Sequence, residues 1–277
     1  MLLPADAFDQ RDLRLRLASA ALLGPTALIA VWFGQGDLAW LFMVLIAVAA
    51  ALLSVEWGLM SAPNRPARVA AAVVSAVLVA IFCGYYDFWM TAWFSLAVGC
   101  AGAAAIARGF SERITDAAFG VLYIGIPCLM LLWLRTGGEG RAWTLLLLLT
   151  VWAADGGAFF VGKLVGGPKL WPRFSPNKTW SGFFGGLAAA TTASLVHVVV
   201  IGPSLFWPVA IVLGFLTGAA AMAGDLWESM LKRRFGVKDS GDLIPGHGGL
   251  LDRVDGLMFA TIAVGVVRVA HERGWLP

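Results

Sequence analysis

Apolar runs of about twenty residues follow one another along this chain with only short polar breaks, at about 17–33, 38–60, 69–86, 88–107, 117–134, 142–162, 180–201, 204–227 and 250–270. The hydrocarbon core of a bilayer, about 30 Å thick, takes roughly 20 apolar residues per helix, and backbone amides inside it must bond internally. Nine such runs therefore predict an all-α integral membrane protein of about nine transmembrane helices. Strand-like alternation is absent, which disfavours a barrel. With 60% hydrophobic residues, 13% charged residues and a mean hydropathy of +0.81, the composition excludes an ordinary soluble domain. Residues 1–16 read as a cytosolic tail and 17–277 as a single polytopic domain, with no convincing internal repeat.

Lys and Arg in the connections set the orientation. With the N-terminus inside, the cytosolic segments hold fifteen: Arg11, Arg14, Arg16, Arg65, Arg68, Arg108, Arg113, Lys163, Lys169, Arg173, Lys178, Lys232, Arg233, Arg234 and Lys238. The opposite side holds four, Arg135, Arg141, Arg268 and Arg273. An odd number of spans puts the C-terminus outside. Cys83, Cys100 and Cys128 stand singly in apolar runs, without disulfide or zinc spacing, and read as small buried hydrophobes. The 13 tryptophans read as interfacial belts.

Ionisable side chains within spans are costly and carry a functional presumption. In this orientation Glu56, Asp155 and Asp225 fall toward cytosolic helix ends, whereas His197 falls toward the other end and reads as a packed residue. Glu56 could equally pair with Arg65 or Arg68 at the membrane edge. Asp225, Glu228, Ser229 and Lys232 follow the i, i+3, i+4, i+7 spacing of one helical face, and Asp252 and Asp255 share a face where the ninth span opens. Carboxylates thus converge on one depth from at least three helices. Such acids beside Lys178, Lys232, Arg233 and Lys238, with Gly246, Gly248 and Gly249 allowing close backbone approach, would suit Mg²⁺ and a polyphosphate. The positive-inside rule alone accounts for Lys232 to Arg234, though not for the buried acids. His247, in "PGHGG", reads either as a turn residue or as a phosphate contact.

The interval 225–256 resembles the signature of phosphatidate cytidylyltransferases, the CDP-diacylglycerol synthases. Ser229, Leu231, Lys232, Arg233, Lys238, Asp239, Gly241, Ile244, Pro245, His247, Gly248, Gly249, Leu250, Asp252, Arg253, Val254 and Asp255 fill that pattern without a gap. Asp225 in "DLWESMLKR", "SPNKTWSG" around Lys178, Asp155 with its following glycines and "LYIGIP" at 122–127 extend the similarity upstream. One departure is Ser181, where the family usually carries an acid.

The resemblance implies transfer of a cytidylyl group from CTP to phosphatidate, giving CDP-diacylglycerol and pyrophosphate. It implies Mg²⁺, with room for a second cation, at a site on the cytosolic helix ends of a multi-pass protein, in the plasma (inner) membrane if bacterial. It makes Asp225, Asp252, Lys232 and Arg233 catalytic, and Asp225, Asp252 and Asp255 metal-binding. Substrate binding falls to Lys178, Ser229, Lys238, Asp239, His247, Gly248, Gly249, Arg253 and Asp155. A homodimer is open, and no nucleic acid is expected. Two alternatives are a CTP-dependent enzyme for another membrane lipid and an ion-coupled secondary transporter. The second is disfavoured because transporters place sites at the midplane of repeated halves.

Overall fold

The computed structural model describes residues 24–34, 38–110, 112–241, 243 and 248–276. Eight helices are long and apolar enough to cross a membrane: α2 (Ala39–Ser61), α3 (Pro66–Tyr85), α4 (Trp89–Gly109), α5 (Ile114–Thr136), α6 (Gly140–Val165), α7 (Trp180–Val200), α8 (Trp207–Phe235) and α9 (Leu251–Glu272). A shorter apolar helix, α1, covers Gly24–Phe33. The chain is thus an all-α multi-pass membrane protein. The first expected span, 17–33, corresponds to α1, and its first residues, 17–23, lie outside the described residues together with the 1–16 tail.

Between α6 and α7 the chain forms a hairpin absent from the sequence expectation. β1 (Lys169–Trp171) pairs antiparallel with β2 (Ser175–Thr179), Lys169 opposite Thr179 and Trp171 opposite Ser175. Thr179 then caps α7, its Oγ1 accepting the Gly182 amide at 3.1 Å. The Trp180 amide donates to the Pro168 carbonyl at 3.0 Å, so both ends of the hairpin are tied.

Consecutive long helices pack side by side in the pairs α2–α3, α3–α4, α4–α5, α6–α7, α7–α8 and α8–α9, and α5 touches α2, α3, α4, α6 and α9. Burial between lipid-facing helices gains little from the hydrophobic effect, so close backbone contact matters. A Cβ on Gly182 would stand 2.8 Å from the Ala158 carbonyl oxygen, and one on Gly186 would stand 2.8 Å from that of Ala154. Only glycine admits the α6–α7 approach there. Large apolar side chains such as Phe94, Phe160, Phe184 and Val212 point outward, as a bilayer-facing surface requires. Trp57 and Trp143, by contrast, are fully buried and belong to the core rather than to interfacial belts. Trp57 donates Nε1 to the Asp116 carbonyl at 3.0 Å and packs on Phe119, Tyr123 and Phe235, joining α2 to α5 and α8. The three cysteines are free thiols, Cys128 buried and the others half-buried.

Polar groups cluster at the two ends of the bundle. At one end, Arg268 of α9 is 0% exposed and closes the C-terminus of α5. It donates to the carbonyls of Leu134 at 2.6 Å, Gly138 at 2.9 Å and Trp133 at 3.2 Å, and to Glu272 at 2.8 Å. A cation there also meets the negative end of the α5 dipole. At the same end Arg135 donates to the Val31 carbonyl at 2.7 Å, and His197 Nε2 lies 3.0 Å from the Ala142 carbonyl oxygen. Replacing Arg268 with Met should leave the buried Leu134 carbonyl without its Arg268 donor and cost about 1–3 kcal/mol, read as a lowered unfolding temperature in detergent. Glu272→Gln, at a half-exposed partner, should cost far less.

Candidate active site

The opposite end gathers the acids. α8 carries Pro208 in its first turn and stops at Gly236, whose φ of +78° lets the Gly236 and Val237 amides return to the carbonyls of Arg233 and Lys232. Lys232, Arg233 and Arg234 therefore occupy its last turn, against the negative end of the helix dipole. They diverge from there. Lys232 turns inward to a half-buried position, bonding Glu228 at 2.9 Å and pairing with Asp252. Arg234 bonds Asp116 of α5 at 2.6 Å, while Arg233 is exposed and donates to the Val237 carbonyl at 3.4 Å.

α8 and α9 cross where two glycines meet backbone. A Cβ on Gly224 would stand 2.5 Å from the Asp255 carbonyl oxygen, and one on Gly256 would stand 3.0 Å from that of Ala221. This crossing sets Asp225 and Asp255, the neighbours of those glycines, within electrostatic reach of each other. Lys178, carried in by β2, forms an ion pair with Asp225 across the gap between hairpin and α8. Asp155 of α6 lies within reach of the same Asp225 and Lys178 charges. Asp155, Lys178, Asp225 and Asp255 thus form one group from four elements.

A second group adjoins it. Asp252 Oδ1 pairs with Lys232, and Oδ2 accepts the Ser240 hydroxyl at 2.9 Å, the Ser240 amide at 3.1 Å and the Gly249 amide at 3.1 Å. Both oxygens are engaged by protein donors, so a metal ion on Asp252 would have to displace Lys232 or the Ser240–Gly249 contacts. Glu228 is buried, lies within hydrogen-bond reach of Asp252 and Asp255, and among the described residues its Oε1 meets no donor. Glu56, fully buried, accepts the amides of Leu250 at 2.6 Å and Leu251 at 2.7 Å and the Ser240 hydroxyl at 3.3 Å. It pairs with neither Arg65 nor Arg68, the alternative that the sequence left open. Instead Glu112 accepts the Arg65 amide at 2.8 Å, and Arg68 stacks on Phe110 at 4.0 Å.

The remaining sequence-selected residues are spread around these groups. Ser229 is half-buried one residue from Glu228, Arg253 is exposed on the first turn of α9, and Lys238 and Asp239 are exposed in the loop after α8. Gly248 has a φ of +78°, a left-handed value that favours glycine, and Gly249 leaves no room for a side chain, since a Cβ would overlap Ser240 Oγ. His247 lies outside the described residues. Ser181 donates to the Gly166 carbonyl and lies 3.0 Å from Thr179 Oγ1. A hydroxyl can donate there, whereas an ionised acid could not.

Sequence reasoning passed over Ser240, which occupies a variable place in the signature, and Tyr123. Glu56 stood out in the sequence as an acid inside an apolar span, but nothing there pointed to backbone amides as its partners. The Tyr123 hydroxyl lies within electrostatic reach of Glu228 and Asp255, at the head of an apolar groove of about 350 Å³ between α5, α8 and α9. Leu122, Ile126, Trp227, Phe259 and Ile262 line it. Charged groups and an apolar slot are therefore contiguous, an arrangement matched to an amphipathic molecule.

Hard oxygen ligands suit Mg²⁺, which usually takes one or two carboxylates and completes its shell with water and substrate phosphates. Among the described residues no three acids, histidines or cysteines are grouped as a cage. Two neighbouring carboxylates, Asp225 and Asp255, beside the unpartnered Glu228 oxygen are consistent with that sparse mode.

The model of the cytidylyltransferase family matches residues 14–270. A phosphatidate cytidylyltransferase of Brucella melitensis is 41% identical over 257 residues, 90% of this chain and 91% of that protein. Its counterpart in Brucella suis matches to the same extent. One from Staphylococcus saprophyticus is 40% identical over 157 residues, 56% of this chain and 60% of that protein.

The α8–α9 crossing generates a test that needs no substrate. Gly224→Ala should cost about 1–3 kcal/mol through overpacking against Asp255, lowering the unfolding temperature. Gly102→Ala, where nothing lies within 4 Å of the added Cβ, should be neutral or slightly stabilising.

Proposed function

This chain belongs to the cytidylyltransferase family, and from that premise we propose that it transfers the cytidylyl group of CTP to phosphatidate, releasing pyrophosphate and forming CDP-diacylglycerol. The observation that carries the lipid half of the reading is the apolar groove running from Tyr123 at the acid–lysine cluster down the lipid-facing junction of α5, α8 and α9. An acyl chain fits that slot while its phosphate stays at the helix ends. The site end faces the cytosol, where CTP is found, a reading supported by fifteen Lys and Arg in the connections on that side against four on the other. The same asymmetry puts the N-terminus inside and the C-terminus outside, in the plasma membrane of a bacterium.

In the reaction a phosphatidate oxygen bonds to the α-phosphorus of CTP as the bond to the bridging oxygen of pyrophosphate breaks. The phosphatidate phosphate is already anionic near neutral pH, so no general base is required. The protein's work is to hold several negative charges together and in line. Asp225 and Asp255 would hold Mg²⁺, with Asp155 close enough to reinforce their negative field. When bound, the ion supplies positive charge to the transferring phosphoryl group and to the leaving pyrophosphate. Lys178 then exchanges Asp225 for a substrate phosphate oxygen. Lys232 remains fixed by Glu228 and Asp252 and presents a second ammonium at constant depth. Asp252 acts mainly by holding Lys232 and the Ser240–Gly249 backbone, and the exposed Arg233, Lys238 and Arg253 screen the approach of the triphosphate.

Purified protein incubated with labelled CTP, Mg²⁺ and phosphatidate should yield lipid-soluble CDP product, and absence of product beside an active control sinks the reading. Lys178→Ala and Asp225→Asn should each lower kcat/KM by about 100-fold or more, whereas Lys163→Ala, on the exposed end of α6, should stay within about twofold. Equal small effects would leave Lys178 as an interfacial charge only.

Filling the groove separates the two substrates. Ile126→Trp should raise KM for long-chain phosphatidate by about tenfold and leave KM for CTP unchanged. A rise in the CTP value alone would remove the acyl chain from this groove.

A further inference from the structure

α9 begins without help from its own sequence. Its N-cap position is Leu250, which has no side-chain oxygen, and no cap hydrogen bond is formed locally. Ordinarily this leaves the first amides of a helix without acceptors. Here the acceptor comes from α2: Glu56 Oε1 takes the Leu250 amide at 2.6 Å and Oε2 takes the Leu251 amide at 2.7 Å. The carboxylate thus grips both amides like a fork, at the positive end of the α9 dipole. It is 0% exposed, and Ser240 Oγ, 3.3 Å away, is the third donor.

What this fork holds is the ledge from which the site is built. Ser240 Oγ also lies 2.9 Å from Asp252 Oδ2, which receives the Gly249 amide and whose other oxygen pairs with Lys232. Glu56, Ser240, Gly249, Asp252 and Lys232 are therefore neighbours in one polar cluster, the single Ser240 hydroxyl proton being shared between Asp252 Oδ2 at 2.9 Å and Glu56 Oε2 at 3.3 Å. Asp255 stands one turn further along the same helix. Glu56 touches none of the reacting atoms proposed above, and it lies far in sequence from every motif residue.

We propose that Glu56 is a positioning residue, a cap supplied from α2 that fixes the rotation and depth of α9 and so the placing of Asp252, Lys232 and Asp255. The catalytic part of this role rests on the cytidylyl-transfer reading, while the clamp itself does not. Glutamine has the shape of glutamate but turns an NH₂ group toward one of the two amides, so one backbone donor loses its acceptor. Aspartate keeps the charge and reaches less far.

The test uses the full chain in lipid nanodiscs, with hydrogen exchange and steady-state kinetics on Glu56→Gln and Glu56→Asp. In Glu56→Gln, exchange at Leu250 and Leu251 should rise about tenfold, with the 169–179 hairpin unchanged. Its kcat should fall about 10- to 100-fold, as expected when reacting groups shift by a fraction of an ångström, with both KM values within about threefold. Glu56→Asp should recover part of that kcat. Unchanged exchange at Leu250 and Leu251, or kcat within twofold of wild type, overturns the proposal. So does a loss of activity that only tracks the amount of folded protein, as calibrated by Ser194→Ala, which removes a buried hydrogen bond between α7 and α8. If Glu56→Gln does not fold, Ser240→Ala, which removes one of the three donors, carries the same two readouts. Wild-type protein that makes no CDP product defeats the cytidylyl-transfer reading, and the exchange arm still decides the clamp.

Discussion

A charge kept among apolar helices persists only where an opposite charge or a row of backbone dipoles answers it. Three buried charges among the described residues show it. Arg268 meets the carbonyl end of α5, Glu56 meets the amide end of α9, and Lys232 stands between Glu228 and Asp252. Helix termini are the one place in a hydrocarbon-facing fold where unpaired backbone groups are on offer, so charges gather at the two ends and leave the middle apolar. The site is accordingly a product of the same rule that stabilises the fold.

The two ends nonetheless solve the problem differently. Around Arg268 most polar contacts run to backbone carbonyls, fixed partners that no ligand needs to displace. At the other end, the Lys178–Asp225 ion pair joins a hairpin to a helix, both side chains are partly exposed, and each could trade its partner for a ligand of matching charge. Adjacent to it, Glu228 keeps an oxygen without a donor. Saturation on one side and exchangeable pairing on the other separate scaffold from working surface.

Much of this was legible in the chain. Eight of the nine expected spans are long apolar helices, because twenty-residue apolar runs have few other folds available. The spacing of Asp225, Glu228 and Lys232, and of Asp252 and Asp255, correctly put those residues on shared helical faces. Which helices cross at Gly224 and Gly256 was not legible, since an approach of two backbones leaves no periodic trace. The hairpin escaped for a similar reason: "GGPKLWPRFSPNKT" contains prolines and glycines that read as loop, and its two short strands are held by end contacts rather than by alternation. Glu56 was visible as a buried acid, but its partners are backbone amides 194 and 195 residues away, and backbone amides have no sequence signature.

That long reach has a consequence for how the protein is made. Synthesis runs from N- to C-terminus, so α2 is inserted long before Ser240, Leu250 and Leu251 exist. Until α9 arrives, Glu56 has none of the three donors that hold it in the finished bundle. The ledge carrying Asp252 and Asp255 therefore takes shape only when the last described helix docks against one of the earliest. A nascent chain halted before α9 would carry Lys178 and Asp225 but no assembled centre, and competence would come late and all at once.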